Sequence, residues 1–311
     1  MNILTCTDSK FVIPTGVMFY SVCKNNVGEE LNFYLIVDGS VTETQKQSIE
    51  NEIKKFENTS IHFFKVDVKE IEQYLVVVAP NFPKSIYYRL LMADILPKNL
   101  DKIIYLDGDI IVRHSLKDLW NTDISNFSLG AIVNQTNGKN FWERLKYPRD
   151  KGYFNSGVLL VNIKYWRENC LSDKFIDYLK HNSDTLVNPD QDVLNYVLQD
   201  SKVLLPERYN VQEFFYRVDR EIVDCENSAE IERSLHDPYI LHYTAVKPWF
   251  YYCSHPLKHI YYQYKTETQW ANDSIMEKIR KSDYRAYLIF QSKKIIKHLI
   301  GKKSGYRQIK I

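Results

Sequence analysis

Glycine is scarce in this sequence, with ten residues among 311. No G-x-G-x-x-G motif opens a helical pattern, and no G-x-x-x-x-G-K-[ST] motif occurs anywhere. These two glycine-rich loops are the usual ways in which a backbone cradles a dinucleotide or a nucleoside triphosphate. Both classes of phosphate site are therefore excluded, so a bound nucleotide would have to be held by a metal ion and by side chains.

Cysteine pairs and long apolar runs are also missing. The five cysteines are an odd number, are scattered and include no C-x-x-C pair. This argues against a disulfide framework or a zinc site and favours reduced thiols. The amino terminus lacks the basic and apolar regions of a signal peptide. No apolar run approaches the roughly 18 residues that a membrane-spanning helix needs. We therefore expect a cytoplasmic protein.

The formal charge is nearly balanced, but cations are concentrated at the carboxyl end. From Arg285 onward there are eight Lys and Arg residues and no Asp or Glu. Subtracting these eight from the net charge of +2 leaves −6 for residues 1–284. The basic charge thus belongs to the tail, which argues against a nucleic-acid partner for the main body of the protein.

The basic tail has apolar residues at helical spacing. Leu288, Ile295 and Leu299 fall on one side of a helix, and the lysines between them fall on the other. This pattern is typical of an amphipathic helix that lies on an anionic membrane surface. A helix packed on the domain, with its basic face in solvent, is the alternative. We predict that residues 285–311 hold the protein at the inner face of the cell membrane.

Alternating strand-like and helical segments predict an α/β fold. Short apolar runs predict strands at residues 2–7, 32–37, 61–66, 102–106, 129–133, 158–162, 202–205 and 239–243. Helical patterns fall at residues 14–26, 42–56, 87–94, 116–120, 173–181 and 190–198. Strands that alternate with helices form a wound, mostly parallel sheet. We predict one domain of residues 1–265, followed by a helical, basic tail of residues 266–311.

The most informative chemical signal is a pair of aspartates after a predicted buried strand. Asp107 and Asp109 come directly after the apolar run of residues 102–106. Side chains two residues apart on a strand leave the same face. We therefore expect both carboxylates to point to one place where the strand leaves the core. Ligands bind at the carboxyl ends of strands in open α/β sheets. Paired carboxylates there suit Mg²⁺ or Mn²⁺, which in turn can hold a diphosphate.

Three further segments carry a polar side chain beside an apolar run. Asn155 stands before a turn predicted at Gly157, Asp190 opens a helical pattern, and His242 ends a predicted strand. Each side chain also has a plain structural explanation, namely closing a turn, capping a helix or bonding within the core. Their occurrence together with the aspartate pair favours one shared site.

With these segments the sequence resembles glycosyltransferase family 8, the retaining sugar transferases that include bacterial lipooligosaccharide galactosyltransferases and glycogenin. The resemblance covers roughly residues 2–250. It rests on Tyr88-Arg89-Leu90, Tyr105-Leu-Asp-Gly-Asp109, Phe154-Asn-Ser-Gly157, Asp190-Gln-Asp192, and His242-Tyr243 with Lys247-Pro-Trp249. It implies the GT-A fold, a single nucleotide-sugar-binding α/β domain, and the use of Mn²⁺ (or Mg²⁺) with a UDP-sugar.

The resemblance also implies roles for individual residues. Asp107, Asp109 and His242 match the metal ligands of the family, and Lys247 matches the residue that contacts the diphosphate. The matches to the uridine contacts are Asp8 and Phe11, and the matches to the donor-sugar contacts are Arg89, Asn155, Asp190 and Gln191. Gln191 or Asp190 would lie near the anomeric carbon, which makes these two the candidate catalytic residues.

One stretch departs from the family pattern. The family usually has a glycine or small residue and six positions between its histidine and its lysine. Here Lys247 follows His242 by five, and no glycine intervenes. The phosphate loop is therefore shorter, and the match at Trp249 indicates that it still returns to the same place.

The resemblance implies a metal-dependent retaining transferase that moves galactose or glucose from a UDP-sugar to a membrane-held cell-surface glycan such as lipooligosaccharide. A glycoprotein acceptor is the alternative within the same chemistry. A noncatalytic sugar-nucleotide-binding protein is an alternative from another class. So is a Mg²⁺-dependent phosphohydrolase of the haloacid-dehalogenase type, in which the first aspartate of such a pair is the nucleophile. That motif normally lies near the amino terminus, whereas Asp107 lies a third of the way along this chain.

Overall fold

A computed structural model of the chain describes residues 1–66, 84–134, 141–218, 228–250 and 252–273, and in the tail residues 288, 292, 305–307, 309 and 311. Most of the predicted amphipathic helix at residues 285–311 therefore lies outside the described residues. Leu288 and Ser292, which are described, are both helical. In the described part of the chain, no helix combines the length and the apolarity that crossing a bilayer requires.

Seven strands of the described chain form a central sheet in the order β3-β2-β1-β4-β7-β6-β8. They are β1 (Asn2–Thr7), β2 (Leu31–Val37), β3 (Thr59–Lys65), β4 (Lys102–Leu106), β6 (Leu129–Val133), β7 (Phe154–Asn162) and β8 (Lys202–Leu204). Neighbouring strands are parallel except around β7, which runs antiparallel to β4 and to β6. Six strands thus point one way and one points the other way, which confirms the predicted mostly parallel sheet.

The central strand β4 is buried on both faces, as its apolar run predicts. Ile103 and Tyr105 belong to an apolar cluster on one side of the sheet. Ile104 and Leu106 belong to a second cluster on the other side. Because both faces are covered, the strand has no polar face, and its sequence does not alternate.

Three short strands form a second sheet in the order β5-β10-β9. They are β5 (Ile110–Val112), β9 (Val211–Gln212) and β10 (Ile240–His242). The strand predicted at residues 239–243 is β10, so it lies in this sheet. The chain passes from β4 to β5 through Asp107, Gly108 and Asp109. The aspartate pair therefore stands where the two sheets join.

Helices of the described chain pack against the two sheets and against one another. They are α1 (Val12–Asn25), α2 (Glu43–Ile53), α3 (Met92–Ile95), α4 (Lys117–Asn121), α5 (Phe141–Arg144), α6 (Ile163–Glu168), α7 (Leu171–Asn182), α8 (Pro189–Val197), α9 (Ser228–His236) and α10 (Lys258–Thr266). The predicted start of α2 is confirmed. The Thr42 hydroxyl accepts from the Gln45 amide, and the Gln45 side chain accepts from the Thr42 amide, so two amides that would lack a helical partner are satisfied.

Three local predictions differ from the structure. Residues 87–94 were predicted as one helix, but the chain forms a 3₁₀ helix over Lys84–Leu91 that continues into α3. The apolar pattern of so short a stretch does not distinguish the two helix types. The aspartate pair lies in a turn, because β4 ends at Leu106. Its carboxylates therefore converge through the turn and not through the period of a strand.

The turn predicted at Gly157 is also wrong, because Gly157 lies inside β7. Its carbonyl accepts from the Asp107 amide at 2.9 Å. At the start of the strand, the Asn195 side chain bonds both the amide and the carbonyl of Phe154, each at 2.8 Å. The Asn195 side chain thus makes the hydrogen bonds that a neighbouring strand would otherwise make. The backbone therefore stays extended where the polar sequence predicted a turn.

The packed core continues past residue 265. Trp270 is 5% exposed and lies against Gly16 of α1, where an added Cβ would be 2.2 Å from the indole ring. Farther along, Tyr306 pairs with the backbone at Arg217, and its hydroxyl donates to Glu213. The boundary at residue 265 stays a prediction, but described residues beyond it contact the domain at both places.

Candidate active site

Several chain segments meet at one edge of the central sheet. Strands β1 and β4 end there, and β7 begins there, because an antiparallel strand starts at the edge where its parallel neighbours end. Asp190 at the start of α8 and His242 at the end of β10 line the same cavity. In open α/β sheets this is the edge at which ligands bind.

Asp107, Asp109 and His242 form a cluster in which one donor atom of each lies within 4.8 Å of the others. Asp107 Oδ1 is occupied, since it accepts from Arg89 Nη2 and from the Tyr105 hydroxyl at 2.9 Å each. Its other oxygen, Oδ2, lies 3.8 Å from His242 Nε2. Asp109 Oδ1 lies 3.3 Å from the same nitrogen. Each side chain therefore turns one donor atom towards a common point.

The donor set of this cluster suits a divalent cation. Carboxylate oxygens are the ligands that Mg²⁺ and Mn²⁺ prefer, and imidazole suits divalent transition metals. Gly157 leaves the space open, because an added Cβ would lie 2.3 Å from His242 Cε1 and 2.5 Å from Asp107 Oδ2. The residues present therefore fit a bound divalent cation.

Lys247 lies on the other side of Asp109. Its ammonium bonds Asp109 Oδ2 and donates to the Tyr243 carbonyl at 2.8 Å. Burial opposes the charged form of Asp109, but Lys247 and His242 together more than offset it, so the pKa of this carboxyl is held well below its usual range. Although Lys247 follows His242 by only five positions, the loop between them brings the lysine to the cluster.

Arg89 is a buried cation that serves two carboxylates. Besides its bond to Asp107, its Nε lies 3.2 Å from Asp190 Oδ2, and its Nη1 donates to the Ser156 carbonyl at 2.9 Å. Burial raises the pKa of the Asp190 carboxyl; Arg89 opposes that shift and Asp107 adds to it. One guanidinium therefore holds the Asp107 and Asp190 carboxylates in a fixed relation.

Gln191 lies beside Asp190 and is also held in place. Its Oε1 accepts from Asn155 Nδ2 and from the Ser156 amide, both at 3.1 Å. An amide oxygen has two lone pairs, so both are used. The Gln191 amino group is consequently the part of this side chain that can donate to a bound molecule.

Two adjoining cavities of 450 and 160 Å³ open beside the cluster and share Arg89, Asp107, Asp109 and Lys247 in their walls. Asp8 and Phe11 line the smaller cavity, while Asn155, Asp190, Gln191 and His242 line the larger one. The Phe11 ring meets Trp249 edge to face at 5.8 Å. Each of the ten residues singled out from the sequence thus lies in one continuous region.

The larger cavity is also lined by residues that no sequence pattern singled out, among them Asn134, Gln212, Glu213 and Thr244. Asn134 directly follows β6, so its position after a predicted strand could have identified it. Gln212 and Glu213 lie in elements of only two and four residues, which are too short to show a period. Asn210, which bonds His242, gave no local signal at all.

Comparison with known proteins identifies the family of the chain. A sequence profile described as Glycosyl transferase family 8 matches residues 2–253. General stress protein A of Bacillus subtilis is 29% identical over 278 residues, which span 87% of this chain and 94% of that protein. The lipopolysaccharide 1,2-glucosyltransferase of Escherichia coli is 27% identical over 304 residues, which span 94% of this chain and 86% of that protein. The lipopolysaccharide 1,3-galactosyltransferase of Salmonella typhimurium is 25% identical over 293 residues, with 91% and 83% covered.

Solved structures agree in fold. The galactosyltransferase LgtC, in complex with donor and acceptor sugar analogs, superimposes with a TM-score of 0.76 at 21% identity. The superposition covers 92% of this chain and 100% of that one. At this identity the likeness establishes the fold, which is GT-A. With the profile match over most of its length, the chain belongs to glycosyltransferase family 8 and is a glycosyltransferase.

Proposed function

We propose that the protein is a Mn²⁺-dependent retaining glycosyltransferase that moves a hexose, galactose or glucose, from a UDP-sugar to a cell-surface glycan. The observation that carries the proposal is the cluster of Asp107, Asp109 and His242 at the wall of a 450 Å³ cavity. Asp107, Asp109 and His242 would hold the ion, Lys247 the diphosphate, and Asp8 with Phe11 the uridine. Arg89, Asn155, Asp190 and Gln191 would surround the donor sugar.

Charge explains why this arrangement suits sugar transfer. Breaking the sugar–phosphate bond develops positive charge at the anomeric carbon and negative charge on the leaving diphosphate. A bound divalent ion supplies Lewis-acid stabilisation to that diphosphate. Lys247 adds a point charge beside it. On the opposite side, the Asp190 carboxylate lies within the larger cavity, where its negative charge would stabilise the sugar cation.

The hydrogen bonds of Gln191 favour a positioning role over nucleophilic attack. Its amide oxygen accepts from Asn155 and from the Ser156 amide, so attack through that oxygen would require two hydrogen bonds to break. Asp190 keeps one carboxylate oxygen, Oδ2, in contact with Arg89 and Ser156. We infer that Gln191 orients the donor sugar and that Asp190 is the group next to the reacting carbon.

The acceptor is proposed from the relatives. Two of them are named as lipopolysaccharide glucosyl- and galactosyltransferases, which supports a membrane-held glycan as acceptor and leaves both hexoses open. A glycoprotein acceptor is the second candidate. A phosphohydrolase is disfavoured, because its nucleophilic aspartate would be Asp107, and one oxygen of that carboxylate is held by Arg89 and Tyr105.

The donor can be identified without knowing the acceptor. We expect slow UDP release from one UDP-hexose in a panel, in the presence of Mn²⁺ and not with a chelator, because a poised site hydrolyses its own donor. The matched measurement is phosphate release from a phosphomonoester under the same conditions. Metal-dependent phosphate release without UDP release would overturn the proposal in favour of a phosphohydrolase.

We further propose that residues 285–311 attach the enzyme to an anionic membrane surface. Deleting the tail would also remove the contacts of Tyr306 and Arg307 with the domain, so charge reversal is the sharper test. Changing Lys293, Lys294 and Lys297 to Glu should weaken the affinity for phosphatidylserine vesicles, measured by sedimentation, by more than about a hundredfold. Each lysine near the membrane surface contributes about 1 kcal/mol.

The matched control for this test changes three lysines outside the tail, Lys54, Lys117 and Lys164, to Glu. Their side chains are 64%, 60% and 63% exposed, and exposed ion pairs contribute little to stability. The control has the same net charge and should keep most vesicle binding. Equal loss in both variants would show that net charge, and not the tail, decides binding.

A further inference from the structure

We propose that Asn210 is a positioning residue that couples the metal ligand His242 to the donor-sugar side of the site. Asn210 is fully buried and directly precedes β9. Its side chain bridges His242 Nδ1, at 2.8 Å, and Asn155 Oδ1, at 2.9 Å. The inference rests on the proposed metal-dependent transfer and adds a residue that aligns two of its parts.

A backbone amide fixes the orientation of the first link. The Gly157 N–H donates to Asn155 Oδ1 at 3.0 Å, so the atom in that place must be an oxygen. The Asn210 atom that faces the same oxygen at 2.9 Å must then be its amino nitrogen. With the amino group so placed, Asn210 turns its own Oδ1 to His242.

This orientation decides which nitrogen of His242 can bind a metal. Because Asn210 Oδ1 only accepts, the imidazole must present an N–H at Nδ1. The lone pair of a neutral ring is then on Nε2, which is the nitrogen that faces Asp109 and Asp107. His242 is 2% exposed, so no solvent competes for Nδ1. Groups that hold the other nitrogen of a ligand histidine set its tautomer and its direction.

A second backbone amide fixes the other end of the chain. The Ser156 N–H donates to Gln191 Oε1 at 3.1 Å, and Asn155 Nδ2 donates to the same oxygen at 3.1 Å. The sequence of hydrogen bonds therefore runs from His242 through Asn210 and Asn155 to Gln191 without a break. A change at Asn210 should reach both the metal ligand and the amide beside the donor sugar.

Only an amide can make both bonds of Asn210. Alanine at this position would lose both. Aspartate would keep an acceptor for His242 Nδ1 but would set a second acceptor against Asn155 Oδ1, which is already held by the Gly157 amide. The two variants therefore test the bond to His242 and the bond to Asn155 separately. A residue that only stabilised the fold would not give this separation.

The first measurement is Mn²⁺ affinity by electron paramagnetic resonance on the full chain without nucleotide. Asn210→Ala should bind Mn²⁺ about 10- to 100-fold more weakly, the usual effect of losing a residue that orients a ligand histidine. Asn210→Asp should bind Mn²⁺ at least as tightly as wild type. UDP release from the preferred donor at saturating Mn²⁺ should fall in both variants, by at least about tenfold, since small misplacements of positioned groups are costly.

Asn26→Ala is the matched control. Asn26 is also a buried asparagine, 3% exposed, and it bonds the Val22 carbonyl and the Leu116 amide away from the site. Its loss should lower the melting temperature and leave Mn²⁺ affinity unchanged. Should Asn210→Ala fail to fold, Asn210→Asp alone decides, through retained Mn²⁺ affinity with reduced UDP release.

Two results would overturn the inference while the proposed function stands. One is wild-type Mn²⁺ affinity in a folded Asn210→Ala, and the other is Asn210→Asp with full UDP release or with Mn²⁺ affinity as weak as in the alanine variant. If wild type itself binds no Mn²⁺, the proposed function fails, and the inference fails with it. The wild-type measurement thus distinguishes the two failures.

Discussion

Asp109→Asn is expected to reduce Mn²⁺-dependent UDP release at least about a thousandfold while the protein stays folded. Metal ions stabilise transition-state charge by several kcal/mol, and about 4 kcal/mol corresponds to about a thousandfold in rate. The substituted side chain would present one neutral amide oxygen in place of two charged ones, so both the interaction with His242 and the pairing with Lys247 would weaken. The measurement is UDP release at saturating donor over a range of Mn²⁺ concentrations.

Folding of this variant has to be checked separately. The pKa of Asp109 is held below its usual range in the folded protein, so the unfolded chain binds its proton more readily. Its contribution to stability is complete above the ordinary carboxyl pKa of about 3.9 and is lost as pH falls towards the lower folded value. Melting at pH 7 therefore reports the full cost of the change. Undiminished UDP release in folded Asp109→Asn would show that the aspartate pair does not hold a metal needed for the reaction.

Gly157→Ala is expected to reduce both Mn²⁺ affinity and UDP release by about a hundredfold. An added Cβ would lie 2.3 Å from the His242 ring and 2.5 Å from Asp107 Oδ2, so at least one of these two side chains must move. A displacement of about 1 Å in a positioned group costs on the order of 10²-fold. The loss of stability should be only about 1–3 kcal/mol, as for other overpacked sites.

Gly39→Ala is the matched control for this substitution, because an added Cβ there meets no described atom within 4 Å. It should leave Mn²⁺ affinity, UDP release and melting temperature close to those of wild type. If Gly157→Ala keeps wild-type Mn²⁺ affinity, then the ion does not bind between Asp107 and His242.

Much of the fold could be predicted because its signals are local. The apolar run before Asp107 predicted a strand buried on both faces, and the helical pattern of residues 42–56 predicted α2. The antiparallel direction of β7 could not be predicted, since strand pairing depends on contacts far apart in sequence. The start of β7 was missed for a related reason, because Asn195 holds Phe154 in extended form from 41 residues away.

The site shows the same division between local and distant information. The aspartate pair and the Asn155 segment stand beside strands that the sequence predicts, so they could be singled out. Which oxygen of Asp107 faces His242 could not be predicted, because the other oxygen is held by Arg89, 18 residues away, together with Tyr105. Asn210 carried no signal either, since its role comes only from the two side chains that it bridges, His242 and Asn155.

The shortened loop after His242 has a structural consequence for Lys247. Although the lysine follows the histidine by only five positions, it still reaches Asp109 Oδ2, and its ammonium also bonds the Tyr243 carbonyl. The cation is therefore anchored within its own loop. This arrangement supports the proposed contact of Lys247 with the diphosphate, since the ammonium already stands at the wall shared by the two cavities.

Metal-dependent binding of the nucleotide is tested most directly by the affinity of the wild-type protein for UDP, measured by calorimetry with Mn²⁺ and with a chelator. We expect binding at least about tenfold tighter with Mn²⁺, a difference of about 1.4 kcal/mol, and no effect of Mn²⁺ in Asp109→Asn. Equal affinity with and without Mn²⁺ in wild type would show that the cluster of Asp107, Asp109 and His242 does not hold the nucleotide through a metal.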